Sequence, residues 1–286
     1  ALVLDVACER LGRAWGTVGH LNAVVQSADL RDAYNALLPE ISTFYANLGQ
    51  NLDLFARYQS IAATEAPLLT AAEQRWLSHE LRDFVYSGAN LPDAQKARFV
   101  EIQAQLSSLS AQFSDHVLDA TDAFSLTIED PAQLAGVPED ALAQLAAAAD
   151  ADGSTGYKIT LHFPSYFPVM QYADNRDLRA QLYQAYVTRA SDLGDASRDN
   201  SSIMLDLLRL KQEEAQLLGF ASYAELSLST KMADSPEQVI GFLRELAQKA
   251  KPYAQQDRAE LLAFAQTQLG LDDLHAWDIA YASEKL

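Results

Sequence analysis

Apolar residues return every three or four positions along most of this chain, the spacing of one buried helix face. From Pro92 to about Asp122 they fall at Phe99, Ile102, Leu106, Leu109, Phe113 and Val117, with Ser107, Ser110, Gln112 and Asp115 between them. Asn90 and Pro92 supply a start. A stronger start signal is Ser235-Pro236-Glu237-Gln238: a capping serine, a proline at the first helical position and a glutamine placed to reach back. The helix it opens carries Val239, Phe242, Leu243 and Leu246, is expected to kink at Pro252, and ends near Gly270. Further helices are expected at about 2–25, 29–48, 70–86, 138–149, 175–190, 199–218 and 221–230, with Gly219 a stop between the last two.

One stretch has a different period. Tyr157-Lys158-Ile159-Thr160-Leu161-His162-Phe163 alternates strictly and reads as a strand. Pro164 to Pro168 then reads as a turn, and Val169 to Tyr172 as a second strand. The expected fold is therefore mainly α, a multi-helix lobe with a small β-hairpin near 157–172. The alanine-rich run from Ala141 to Ala151, closed by Asp152-Gly153-Ser154, reads as a surface helix and loop. A boundary near 150–157 divides the chain into an amino-proximal helical region, 1–156, and a hairpin-plus-helical region, 157–286.

Charge narrows the partners. With 21 Lys and Arg against 39 Asp and Glu the chain carries −18, and no basic cluster interrupts this field. Such a surface repels phosphate backbones and anionic lipid headgroups, so neither nucleic acid nor membrane is an expected partner. No segment approaches the roughly 20 apolar residues that span a bilayer. Cys8 is the single cysteine, which rules out an internal disulfide and suits a reducing, cytoplasmic setting. The chain opens at Ala1 without a methionine and closes at Lys285-Leu286, which reads as a piece of something longer.

Chemistry is sparse. His79-Glu80-Leu81-Arg82-Asp83 is one residue type short of the HExxH zinc motif. On a helix His79 and Asp83 share a face, with Glu80 alongside as a base. A solvated helix face carrying a His–Asp pair accounts for the same residues, and spacing identifies no third ligand. There is no Gly-x-Ser-x-Gly elbow. Gly153-Ser154-Thr155-Gly156 lacks the lysine of a phosphate loop. The neighbours Glu213-Glu214 and Asp272-Asp273 point in different directions and read as solvated charges rather than acid–base partners.

Longer strings carry more information. Pro164-Ser165-Tyr166-Phe167-Pro168-Val169-Met170-Gln171-Tyr172-Ala173-Asp174-Asn175, Leu178-Arg179 and Tyr183-Gln184-Ala185-Tyr186-Val187-Thr188-Arg189-Ala190-Ser191-Asp192 resemble the thimet oligopeptidase family of zinc metallopeptidases. So do Leu217-Leu218-Gly219-Phe220, Ser227-Leu228-Ser229-Thr230-Lys231-Met232-Ala233 and Trp277-Asp278-Ile279-Ala280-Tyr281. Val18-Gly19-His20-Leu21-Asn22, Ser87-Gly88-Ala89-Asn90-Leu91-Pro92 and Val117-Leu118-Asp119-Ala120-Thr121 fit collinearly upstream. One departure is local: the family usually has two tyrosines where this chain has Tyr281-Ala282.

The resemblance implies a mostly helical fold with two lobes flanking a deep channel that admits short peptides. It implies zinc in the intact enzyme, held by an HExxH helix and a further glutamate. None of those ligands is in this chain, so the resemblance implies no catalytic or metal residue and no cofactor here. His79–Asp83 lies well upstream of the family motif. What this portion supplies on that reading is scaffold and channel wall, with Tyr166 and Phe167 as the substrate-channel candidates; core packing serves both equally well. Missing polypeptide would leave apolar surface exposed, which implies partner-chain contact or self-association. The competing readings are a self-standing helical peptide-binding or interaction module and zinc hydrolysis at His79, Glu80 and Asp83.

Overall fold

A computed structural model describes residues 2–25 and 27–286. The chain folds as two compact units, Ala1–Gln112 with Leu205–Lys231 and Phe113–Met204 with Met232–Leu286.

The first unit is all helix. α1 (Leu2–Val24) and α2 (Ala28–Gly49) touch, with Trp15 stacked on Tyr34 at 4.7 Å. The Ser27 hydroxyl accepts from the Leu30 N–H and so caps α2. α3 (Leu52–Thr64) starts at Asn51, whose side chain accepts from the Leu54 N–H, and packs on α4 (Ala71–Tyr86). Phe55, Tyr58, Leu77, Phe84 and Ala89 form the small core beneath this pair. α5 runs Asp93–Asp122, and its part up to Gln112, which belongs to this unit, buries Phe99 and Ile102 at the expected places on its stripe.

In the second unit a two-stranded antiparallel sheet joins β1 (Ser125–Ile128) to β2 (Tyr157–Thr160), with Leu126 opposite Ile159. Gly156 leads into β2 at φ 94°, and a Cβ there would run into the Ile128 carbonyl. Only glycine lets the strands approach so closely. α6 (Glu139–Ala151) lies on β2 and buries Leu145 and Ala149, so one face of the alanine run is core rather than surface. α7 (Phe163–Tyr172) and α8 (Arg176–Val187) follow. Ile128, Leu134, Leu145, Ile159, Leu161, Val169, Met170, Leu178 and Leu182 form the larger core. Each such fully buried side chain contributes roughly 1.5–3 kcal/mol.

The mainly α class with one small antiparallel sheet holds, and its strand at 157–160 is where the alternation puts it. The partner strand is different. Residues 163–172 are helical, and β2 pairs backward across α6 with β1. The prolines of that segment are compatible with helix: Pro164 sits in the first turn, where its missing N–H costs nothing, while Pro168 lies inside. The decisive pattern is Tyr166, Val169, Met170 and Ala173, all buried and spaced as one helix face.

α9 is Ser201–Leu217 and α10 Tyr223–Leu228. α11 is one helix from Pro236 to Phe264 with Pro252 inside it. It continues as a wider π-type turn over Ala265–Leu269 and stops at Gly270, φ 67°. A 3₁₀ turn at Ala276–Asp278 leads into α12 (Ile279–Lys285). Among the described residues no helix is long and apolar enough to cross a membrane.

Candidate functional site

The strings that resemble a family are far apart in sequence, yet several meet in the second unit. Asn175 caps α8 by accepting from the Leu178 N–H, which orients the first turn so that Arg179 points inward. Arg179 is 0% exposed and so is Asp278. Their Nη2 and Oδ1 atoms are 2.8 Å apart. Arg179 Nη1 donates to the Ala173 carbonyl at 2.6 Å and Nε to the Trp277 carbonyl at 3.2 Å. The guanidinium lies 3.9 Å from the centre of the Tyr281 ring. Each nitrogen of this buried cation, and the face turned to Tyr281, therefore has a partner, as burial of a charge demands.

Asp278 is equally committed. Its Oδ2 accepts from Arg176 Nη2 at 2.7 Å and from the His275 backbone N–H at 3.0 Å. Burial alone raises the pKa of this carboxyl. The hydrogen bonds from Arg176, Arg179 and His275 outweigh burial and hold it below the ordinary value of 3.8. Arg176 reaches outward to Asp273 at 2.9 Å, which in turn meets His275 Nε2 at 3.0 Å. Tyr281 donates from its hydroxyl to Asp174 at 2.8 Å. Burial first, then that carboxylate, pushes the phenol up to about 12. Ala282 beside it is fully buried.

α7 closes the cluster. Tyr172 Oη and Gln171 Nε2 donate to Glu284 of α12 at 2.9 and 2.6 Å. Tyr166 is 7% exposed, stacked on Tyr186 at 4.3 Å, and burial raises its phenol to about 12. Phe167 packs partly on the core and stacks at 4.8 Å on Phe163, which is 61% exposed. The exposed aromatic of α7 is thus Phe163, with half-buried Phe167 stacked on it and Tyr166 within the core. Phe163 was not among the sequence candidates; its alternation with Leu161 assigned it to a strand face instead.

In the first unit, Arg98 binds Glu213 through two bonds of 2.6 and 2.7 Å. Glu214 points elsewhere, accepting from Gln103 at 2.7 Å. It borders a cavity of about 290 Å³ with Ser42, Tyr45, Tyr86 and Ser107. Burial pushes this carboxyl up. The adjacent glutamates do point in different directions, but both are engaged rather than solvated.

The His79–Asp83 segment lies on α4, and Asp83 is held by Arg82 at 2.7 Å. No group of three or more His, Cys, Asp or Glu among the described residues is placed to hold a metal ion. These residues do not fit a catalytic zinc, which needs three protein ligands and an open position.

Comparison with known proteins gives these strings a common origin. The pattern of Peptidase family M3 matches residues 169–286, and that of the Neurolysin/Thimet oligopeptidase N-terminal domain matches residues 3–96. The M3 match holds every member of the junction from Ala173 to Tyr281. Oligopeptidase A of Escherichia coli (strain K12) is 46% identical over 278 residues, 96% of this chain and 41% of that protein. Oligopeptidase A of Salmonella typhimurium is 45% identical over 285 residues, 99% of this chain and 42% of that protein. Saccharolysin of Saccharomyces cerevisiae is 27% identical over 252 residues, 86% of this chain and 34% of that protein. The chain thus spans about two fifths of the length of these two oligopeptidases A.

Arg179 and Asp278 are the residues that sequence reasoning passed over. Both stood inside the quoted strings, as Leu178-Arg179 and Trp277-Asp278. The signal was a charged residue next to a large apolar one in two separate strings, although spacing alone could not pair them across 99 positions.

Proposed function

We propose that this chain is the amino-proximal scaffold of a zinc-dependent metallo-endopeptidase that cleaves short peptides in a deep channel, and that it has no peptidase activity alone. The observation that carries this reading is the 44–46% identity to three oligopeptidases A over nearly the whole chain, together with a sequence that contains no HExxH. The enzyme's zinc would be held by residues outside these 286. The chain's own contribution is positional. The Arg179–Asp278 junction fixes α7, α8 and α12 against one another, and α7 presents Phe167, with Phe163 beside it and Tyr166 behind it, as channel wall. Aromatic faces of this kind grip extended peptides through apolar contact without selecting one sequence. A cytoplasmic setting completes the proposal.

The test is hydrolysis of a mixed pool of short peptides by the purified 286-residue chain, with and without a zinc chelator. No cleavage is expected in either arm. Chelator-sensitive cleavage that disappears in Asp83→Ala would replace this reading with a zinc site on α4.

A further inference from the structure

α11 is exposed in a way that no other long helix of the second unit is. Every residue from 240 to 260 is solvent-exposed, and the helix buries Leu261 alone. Yet its sequence is amphipathic. Val239, Phe242, Leu243, Leu246, Ala250 and Tyr253 fall within about 100° of one another around the axis. Phe242 is 64% exposed, Leu243 and Leu246 each 53% and Tyr253 71%. The same stripe runs on into Leu261, which is buried, and α12 touches this helix. One end of the face is thus covered by the chain itself and the rest is bare.

We propose that the α11 face from Val239 to Tyr253 is a docking surface for an apolar helical segment of the same oligopeptidase, drawn from the three fifths of the relatives' length that this chain does not span. This rests on the reading above. Three observations choose that occupant. The relatives matched over 96–99% of this chain carry far more polypeptide than it does. Leu261 on the same stripe is already buried and α12 touches this helix, so further packing on the seam would extend cover that the chain has begun. A second copy is disfavoured by charge, since each chain carries −18 and pairing would bring two strongly acidic bodies together. α11 itself is balanced, with Arg244, Lys249, Lys251 and Arg258 against Glu237, Glu245, Asp257 and Glu260. It therefore offers an apolar seam with no net field of its own.

The experiment compares thiol labelling in two proteins, each with Cys8→Ser. One is the 286-residue chain; the other is a hybrid that continues it with the remainder of Escherichia coli oligopeptidase A. Leu246→Cys sits on the seam and Arg244→Cys on the opposite side of the same helix. Labelling at each site is followed by mass spectrometry. At position 246 it should slow at least tenfold in the hybrid, while position 244 stays reactive in both. Equal labelling at 246 in the two proteins overturns the proposal. So does protection in the short chain that grows with its concentration, which would make a second copy the occupant. Peptidase activity of the hybrid is read separately, so an inactive hybrid with a protected seam sinks the functional reading and leaves the docking surface standing. The short chain supplies a check that needs no hybrid. Phe242→Ser with Leu246→Ser should lower its binding of a hydrophobic dye about twofold, and unchanged binding would mean the seam is not open to a partner.

Discussion

The two units reach stability by different routes. In the first, helices pack mainly on their sequence neighbours, α3 on α4 and α1 on α2, around a compact core of Phe55, Tyr58, Leu77, Phe84 and Ala89, and its long-range ties, Arg98–Glu213 and Gln103–Glu214, are only part-buried. α2 contributes no buried residue. The second unit is stitched by contacts between segments about 100 residues apart, with Arg179 and Asp278 at the centre and the Tyr172–Glu284 and Tyr281–Asp174 bonds around them. Local pairs can open one at a time, whereas a buried ion pair with shared partners opens as a unit. A scaffold that must hold a surface for another segment needs the second kind of construction, and the family M3 match covers that junction.

Breaking the junction should therefore separate the units most sharply. Asp278→Ala leaves Arg179 buried with its charge uncompensated, a loss of about 3–5 kcal/mol by analogy with other broken buried pairs. Hydrogen exchange should accelerate in α7, α8 and α12 while α3 and α4 keep their protection. Uniform acceleration across both units would mean that the molecule unfolds as one body and the contrast is false. Acid sharpens the same comparison with a smaller effect. Asp278 ionises below 3.8 in the fold, so its contribution is complete above the unfolded pKa and is lost as pH falls through the folded one. Lowering pH below 3.8 should weaken the wild-type second unit, and Asp278→Asn should remove that part of the pH dependence.

Much of this architecture was legible along the chain because helix signals are local. The stripe through Phe99 and Ile102 and the Ser235 start both lie where periodicity and capping put them, and the Ser235 hydroxyl accepts from the Gln238 N–H. Three helices escaped, and each for a physical reason. α3 follows α2 across a two-residue break, so its pattern merges with what precedes it. α7 opens on Phe163-Pro164, where an apolar residue before a proline imitates a strand leading to a turn. α12 has seven residues, too few to show a period. The sheet partner was lost because β1 pairs with β2 across all of α6, and four-residue strands carry no long-range address. The site fared similarly. Tyr166 and Phe167 were singled out for their aromatic character, while burial, which encloses Tyr166 and leaves Phe167 half-buried, belongs to the folded chain alone.

The mildest test concerns a local device of the first unit. Thr70 and Glu73 form a capping box at the head of α4: the Thr70 hydroxyl accepts from the Glu73 N–H at 3.3 Å, and Glu73 Oε2 accepts from the Thr70 N–H at 2.8 Å. That pattern was present in the sequence as Thr-x-x-Glu ahead of Trp76 and Leu77. Thr70→Ala frees the first-turn donors to water and should cost about 1 kcal/mol. Because α4 carries Leu77 and Phe84 into the small core, the loss should appear as faster exchange in α4 and α3 together. α8 and α12 should be unchanged, since nothing in their junction passes through Thr70. An effect of the same size there would tie the two units into one cooperative body and remove the reason for treating the buried ion pair as the device that sets the second unit apart.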